Sequence, residues 1–185
     1  MDGNLIELNA AEAVKAMKDG DITAEAYAKA LVDQAEKHAD LNAWITFDPD
    51  SVMEHAREAD KKRARGDDLG MLHGLPLPMK GSSVTAGVTT TAGTPGLKDF
   101  VPKVDATLVS LLKNQGAYLM GKTNLDELSY DFTGDNTWSG AIHNPYNPKR
   151  SPGGSSGGSA VTVATRMAPL AIAEDTLGSI RLPAS

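Results

Sequence analysis

The chain has 185 residues, 41% of them hydrophobic and 23% charged, enough apolar content for one ordinary folded domain rather than a disordered tail. Its net charge of −6 argues against a nucleic-acid backbone as the main partner. It has no cysteine, which rules out a disulfide scaffold, a thiolate zinc site and a cysteine nucleophile.

The N-terminus lacks a basic start followed by an apolar run, so no signal peptide is expected. No stretch approaches the roughly 18 apolar residues of a membrane span. The cytoplasm is the default location.

The first third reads as helical. Asn9 is placed to cap a helix over Ala10–Lys18 that Gly20 closes, and Thr23 to cap a second over Ala24–His38. In the second, Tyr27, Leu31 and Ala35 recur at helical spacing, with Val32 beside them. Residues 42–47 are strand-like. A third helix is expected from Ser51 to Arg65, stopping near Gly66, with Glu54, Arg57, Glu58 and Lys61 on a solvated face.

From Gly74 the texture changes to alternating strands, helices and Gly/Ser/Thr-rich loops. Leu75–Met79 reads as a strand ending in Lys80. Asp105 is expected to cap a helix over Ala106–Gln115, with Leu108, Leu111 and Leu112 inside and Gly116 at its end. Residues 117–120 form the next strand, 133–156 a loop, Gly157–Arg166 a helix and Ala168–Ala173 another strand. The alternation predicts an α/β layered fold with some parallel strands.

Gly116-Ala-Tyr-Leu-Met-Gly121-Lys122-Thr123 matches the phosphate-binding P-loop pattern letter for letter. That motif works as strand, glycine-rich turn, helix. Here a helix precedes Gly116 and the middle residues are apolar, so a buried strand is expected instead, with Lys122 at its end near a cleft. No cluster of residues suggests a metal ligand set, and no cofactor is expected.

The densest signal lies between Ser151 and Ser185: Ser-Pro-Gly-Gly-Ser-Ser-Gly-Gly-Ser, then Glu-Asp-Thr-Leu-Gly-Ser-Ile-Arg-Leu-Pro-Ala-Ser. Glycines around serines let backbone N–H groups approach a ligand, so one turn can present a hydroxyl and an oxyanion hole together. A flexible Gly/Ser turn would account for either half alone. A serine needs a base. His38, His55, His73 and His143 all lie outside such motifs, so a Ser-His-Asp triad has no clear candidate. A buried lysine, its pKa lowered by burial, can serve as that base.

Together these segments resemble the amidase signature family. The likeness rests on Gly153–Gly158, on Gly178–Ala184, on His73-Gly-Leu-Pro-Leu-Pro-Met-Lys80, on Gly121-Lys-Thr-Asn124 with Glu127-Leu128, and on Asn144-Pro145. It implies an amidase signature fold: an α/β fold with a mixed β-sheet core flanked by helices. Residues 1–66 would be a helical lead-in and 67–185 a catalytic core segment of one domain, truncated on the C-terminal side.

By resemblance Ser179 is the nucleophile, Ser155 the bridging serine after a cis bond from Gly154, and Lys80 the base. The backbone N–H groups of Thr176, Leu177, Gly178 and Ser179 form the oxyanion hole. Asp175 anchors the loop, Arg181 pairs with a carboxylate, and Ser156 supports the relay by hydrogen bonding. Leu177 stands where the family has a small residue, as does Glu174, and Gly81 stands where many members have Asp.

The resemblance implies hydrolysis of a small carboxamide through a serine acyl-enzyme, releasing ammonia or an amine. An alternative within the family is the A subunit of glutamyl-tRNA amidotransferase, which hydrolyses glutamine and passes ammonia to a partner. Leu182 in place of that subunit's usual Gln argues for the hydrolase. A truncated non-catalytic remnant or interaction module is the third reading. The expected partner is a small-molecule amide substrate, with no direct nucleic-acid or membrane contact. A homodimer or a separate C-terminal portion is left open.

Overall fold

The computed structural model describes residues 5–185; the reading of the N-terminus as leaderless rests partly on residues 1–4, outside the described residues. Helix α1 (Ala10–Asp19) starts where Asn9 accepts from Glu12 N while Glu12 accepts from Asn9 N, a reciprocal capping box. It stops at Gly20, whose φ of 82° is the left-handed conformation that glycine adopts most easily. Helix α2 (Ala24–Lys37) is capped by Thr23, and strand β1 covers Trp44–Phe47. Helix α3 (Pro49–Arg65) begins slightly earlier than expected because Asp48 caps it, with Pro49 in the first turn. Tyr27, Leu31 and Ala35 of α2 are buried, as are Val52, Ala56 and Ala59 of α3. These small and apolar stripes let the two helices pack closely. On the outer face of α3, Arg57 reaches Glu25 on α2, and Lys61 lies near Glu58.

Strand β2 (Pro76–Lys80), helix α4 (Thr107–Asn114) and strand β3 (Tyr118–Thr123) follow, then helix α5 (Gly157–Ala164) and the short α6 (Arg181–Ala184). The three strands form one mixed sheet in the order β1-β3-β2, with β1 antiparallel and β2 parallel to the central β3. All five residues of β2 are buried.

Two expectations are corrected. The strand over Ala168–Ala173 is reduced to a single parallel bridge, Met79 with Ile172. Pro169 has no N–H, and Pro76 and Pro78 remove donors from the facing edge of β2. What remains are Lys80 N to Ile172 O (2.9 Å) and Ile172 N to Pro78 O (2.8 Å). Helix α4 is turned from the expected phase. Val109 is buried, whereas Leu108 and Leu111 are exposed. Asp105 does not cap it; its carboxylate accepts from Ala86 N (2.8 Å) and from Lys113 Nζ (2.9 Å). Leu108, Val109, Leu111 and Leu112 cover enough of the helix surface to accept either phase.

Gly116–Thr123 forms no phosphate loop. The segment is the central strand, and Lys122 lies wholly buried on it, donating to Thr85 Oγ1 (2.9 Å) and to Ser83 O. Burial, with Lys113 nearby, pulls the Lys122 pKa down to about 8. No helix among the described residues is long and apolar enough to cross a membrane.

Candidate active site

The parallel strands β2 and β3 run to the same end of the sheet, and Lys80 is the last residue of β2. The bridge at Ile172 carries the following segment, 173–179, past that end. The turn before α5 brings Ser155 in from the other side. Three residues far apart in the chain therefore meet. Lys80 Nζ donates to Ser155 Oγ at 2.7 Å, and Ser155 Oγ donates to Ser179 Oγ at 2.8 Å. Hydroxyl protons can reorient, so the same contacts also carry the opposite direction. Lys80 is 0% and Ser179 5% exposed, so the chain runs from the interior to the edge of the surface.

Lys80 has a second partner that the sequence reading lacked. Glu174 Oε2 lies 2.7 Å from Nζ. Its other oxygen accepts from Ser129 Oγ at 2.7 Å and from Ser82 Oγ at 3.4 Å. With Gly81 beside it, Lys80 still acquires a carboxylate, supplied from across the site. Burial pushes the lysine pKa down. Glu174, then Asp126 and Asp175, pull it back up without cancelling the fall.

The Gly154–Ser155 peptide is cis. A Cβ on Gly154 would lie 1.9 Å from Asp126 Oδ2 and 2.8 Å from Gly134 N, so only glycine fits. Asp126 is fully buried and accepts from Thr133 N (3.3 Å), Thr133 Oγ1 (3.1 Å) and Gly134 N (3.0 Å). It braces the serine turn from behind. Sequence reasoning passed over it, and its only signal was an acidic residue just beyond the end of β3.

Asp175 ties the loop carrying Ser179 together. It accepts from the backbone N–H of Gly178 (2.7 Å), Ile180 (3.0 Å) and Arg181 (3.0 Å), and it pairs with the Arg181 guanidinium at 2.9 Å. This is the carboxylate Arg181 was expected to find. The guanidinium and the backbone donors hold its carboxyl well below the usual carboxylate range.

Two expected roles change. The Gly178 N–H is committed to Asp175, whereas the N–H groups of Thr176, Leu177 and Ser179 have no acceptor among the described residues. Ser156 does not bond to the relay hydroxyls. Its Oγ donates to Glu174 O (3.3 Å) and its N–H to Ser179 O (3.1 Å), so it clamps the serine turn to the segment carrying Ser179. Leu177, 77% exposed, projects from the loop without packing on it. Beside the loop a cleft of about 890 Å³ opens, with Phe132, Pro152, Ile180 and Leu182 among its walls.

Fold and site together define an α/β protein in which one buried lysine and two serines share a hydrogen-bonded chain at the end of a mixed sheet. This chain belongs to the amidase family, whose model matches residues 26–185. It is 40% identical over 182 residues to the A subunit of glutamyl-tRNA(Gln) amidotransferase from Natranaerobius thermophilus, covering 98% of this chain and 37% of that relative. It is 45% identical over 186 residues to the same-named protein of Aromatoleum aromaticum, covering 100% and 37%. Among solved structures, the peptide amidase from Stenotrophomonas maltophilia matches with a TM-score of 0.89 and 36% identity, over 96% of this chain and 38% of that one. Fatty acid amide hydrolase matches with a TM-score of 0.92 and 26% identity, over 97% and 32%. The chain thus spans a little over a third of the length of the curated relatives it matches.

Proposed function

We propose that this chain carries the nucleophile and proton relay of an enzyme that cleaves a small carboxamide through a serine acyl-enzyme. The observation that supports it most is the unbroken contact from Lys80 Nζ through Ser155 Oγ to Ser179 Oγ, at 2.7 and 2.8 Å. In its neutral form Lys80 accepts the Ser155 proton while Ser155 accepts that of Ser179. The Ser179 oxygen then bonds to the amide carbon. The N–H groups of Thr176, Leu177 and Ser179 are the donors available to the tetrahedral oxyanion. When the C–N bond breaks, the relay runs in reverse and protonates the departing amine. Water, deprotonated by the same relay, releases the acid and restores Ser179.

The test is capture of the acyl-enzyme. With a carboxamide and hydroxylamine, the parent should form a hydroxamate, and Ser179→Ala should form none. A variant as active as the parent removes Ser179 from the mechanism.

A second reading, glutamine hydrolysis as in an amidotransferase A subunit, is favoured by the relatives of that name at 40 and 45% identity. Both readings share the relay. They separate on whether amide cleavage requires added partner proteins and tRNA. Cleavage by the protein alone supports the hydrolase.

A further inference from the structure

The contact between Lys80 and Glu174 is unused by the relay as described. Its geometry is specific. Glu174 Oε2 lies 2.7 Å from Nζ, as close as Ser155 Oγ. Oε1 is held by Ser129 and Ser82 from two further segments, so the carboxylate does not swing freely. The Glu174 side chain is 47% exposed, whereas that of Lys80 is 0% exposed. A half-solvated carboxylate thus neutralises an ammonium that has no other ion-pair partner within 4.0 Å among the described residues. The remaining charges bearing on Lys80 are Asp175 on the same returning segment and Asp126 at the turn after β3, both weaker than Glu174.

We propose that Glu174 is a positioning residue for the chemistry assigned to Ser179: its carboxylate holds Lys80 as an ammonium in the resting site and sets the pH at which the lysine can accept the Ser155 proton. The inference rests on the relay proposed above. Protonated Lys80 offers only N–H donors and no lone pair, so it cannot act as base. Activation breaks one N–H bond, and that proton passes to bulk water past the solvent-facing carboxylate. An adjacent opposite charge stabilises the charged form, so removing it makes that loss occur at lower pH. The carboxylate therefore fixes Lys80 in place and restricts its use as a base to higher pH.

The test is Glu174→Gln in the 185-residue chain, which keeps shape and an acceptor oxygen but removes the charge. Glu174→Ser serves if the glutamine variant misfolds. Two readouts are taken across pH. One is the 13Cε and 15Nζ titration of Lys80, assigned by loss of its signal in Lys80→Arg. The other is the rate of fluorophosphonate capture at Ser179.

The expected result is a fall of about one pH unit or more in both midpoints, with capture about tenfold faster on the acidic side of the parent midpoint. A merely structural role would slow capture at every pH and leave both midpoints in place, overturning the inference. If the parent captures no probe at any pH, the relay reading fails. The Lys80 titration still decides whether Glu174 holds the ammonium, and an unmoved midpoint there refutes it.

Discussion

Replacing Gly154 by alanine should be among the most damaging single-methyl changes in this chain. The added Cβ would lie 1.9 Å from Asp126 Oδ2, a separation that neither group can tolerate. Relief requires the buried carboxylate to leave its donors, namely Thr133 N, Thr133 Oγ1 and Gly134 N. Hydrogen bonds to a charged group contribute about 1.5–3 kcal/mol each. Losing two of them costs about 3 kcal/mol or more, before any repacking of the serine turn. For a chain of this size that corresponds to a fall of roughly 6–12 °C in Tm. Urea denaturation followed by tryptophan fluorescence would measure it. A double-mutant cycle with Asp126→Ala locates the cause, because the methyl should cost less once the carboxylate is gone, leaving only its 2.8 Å approach to Gly134 N. A Gly154→Ala protein within about 0.5 kcal/mol of the parent would refute the reasoning, as would an equal cost in both backgrounds.

Other outcomes follow from the same geometry. Capture of a serine probe by the parent should rise with pH through a midpoint below the ordinary lysine value, since burial lowers the Lys80 pKa. Lys80→Ala should abolish that dependence together with most of the rate. Lys122, with a pKa of about 8 when folded against 10.5 unfolded, binds fewer protons in the folded state between those values. Stability should therefore rise with pH from about 8 toward 10.5, and denaturation midpoints of Lys122→Met should lack that increment. Asp175→Ala removes the acceptor of three backbone N–H groups and the partner of Arg181, so capture at Ser179 should slow at least about tenfold. Leu177→Ala should leave thermal stability within about 0.5 kcal/mol, because that side chain faces solvent; a larger loss on melting would mean that it packs.

Much of the fold could be read from local chemistry. Asn9 with Glu12, Thr23, Gly20 and Gly66 mark helix ends through bonds confined to one turn. The spacing of Tyr27, Leu31 and Ala35 marks a buried stripe in the same way. The segment 168–173 misled because its apolar run satisfies a strand pattern, while the lost donors belong to prolines on two different segments. The phase of α4 was hidden because its apolar residues cover enough of the helix surface to accept either one, and Asp105 is held by Ala86 and Lys113, not by the helix start. At the candidate site, Lys80, Ser155 and Ser179 were singled out by their motifs, and the structure brings their side chains into contact. Glu174 was seen only as a side chain larger than expected, because its contact with Lys80 depends on how two distant segments cross at the sheet end. The same holds for Asp126, whose meaning lies in the space it denies to Gly154.

The most direct test of the proposed relay is intact-mass analysis of the 185-residue chain after exposure to a fluorophosphonate, beside Ser179→Ala, Ser155→Ala and Lys80→Ala. The expected result is one adduct on the parent, none on Ser179→Ala, and strongly slowed capture in the other two. An adduct that persists in Ser179→Ala, or capture indifferent to Lys80 and Ser155, would contradict it.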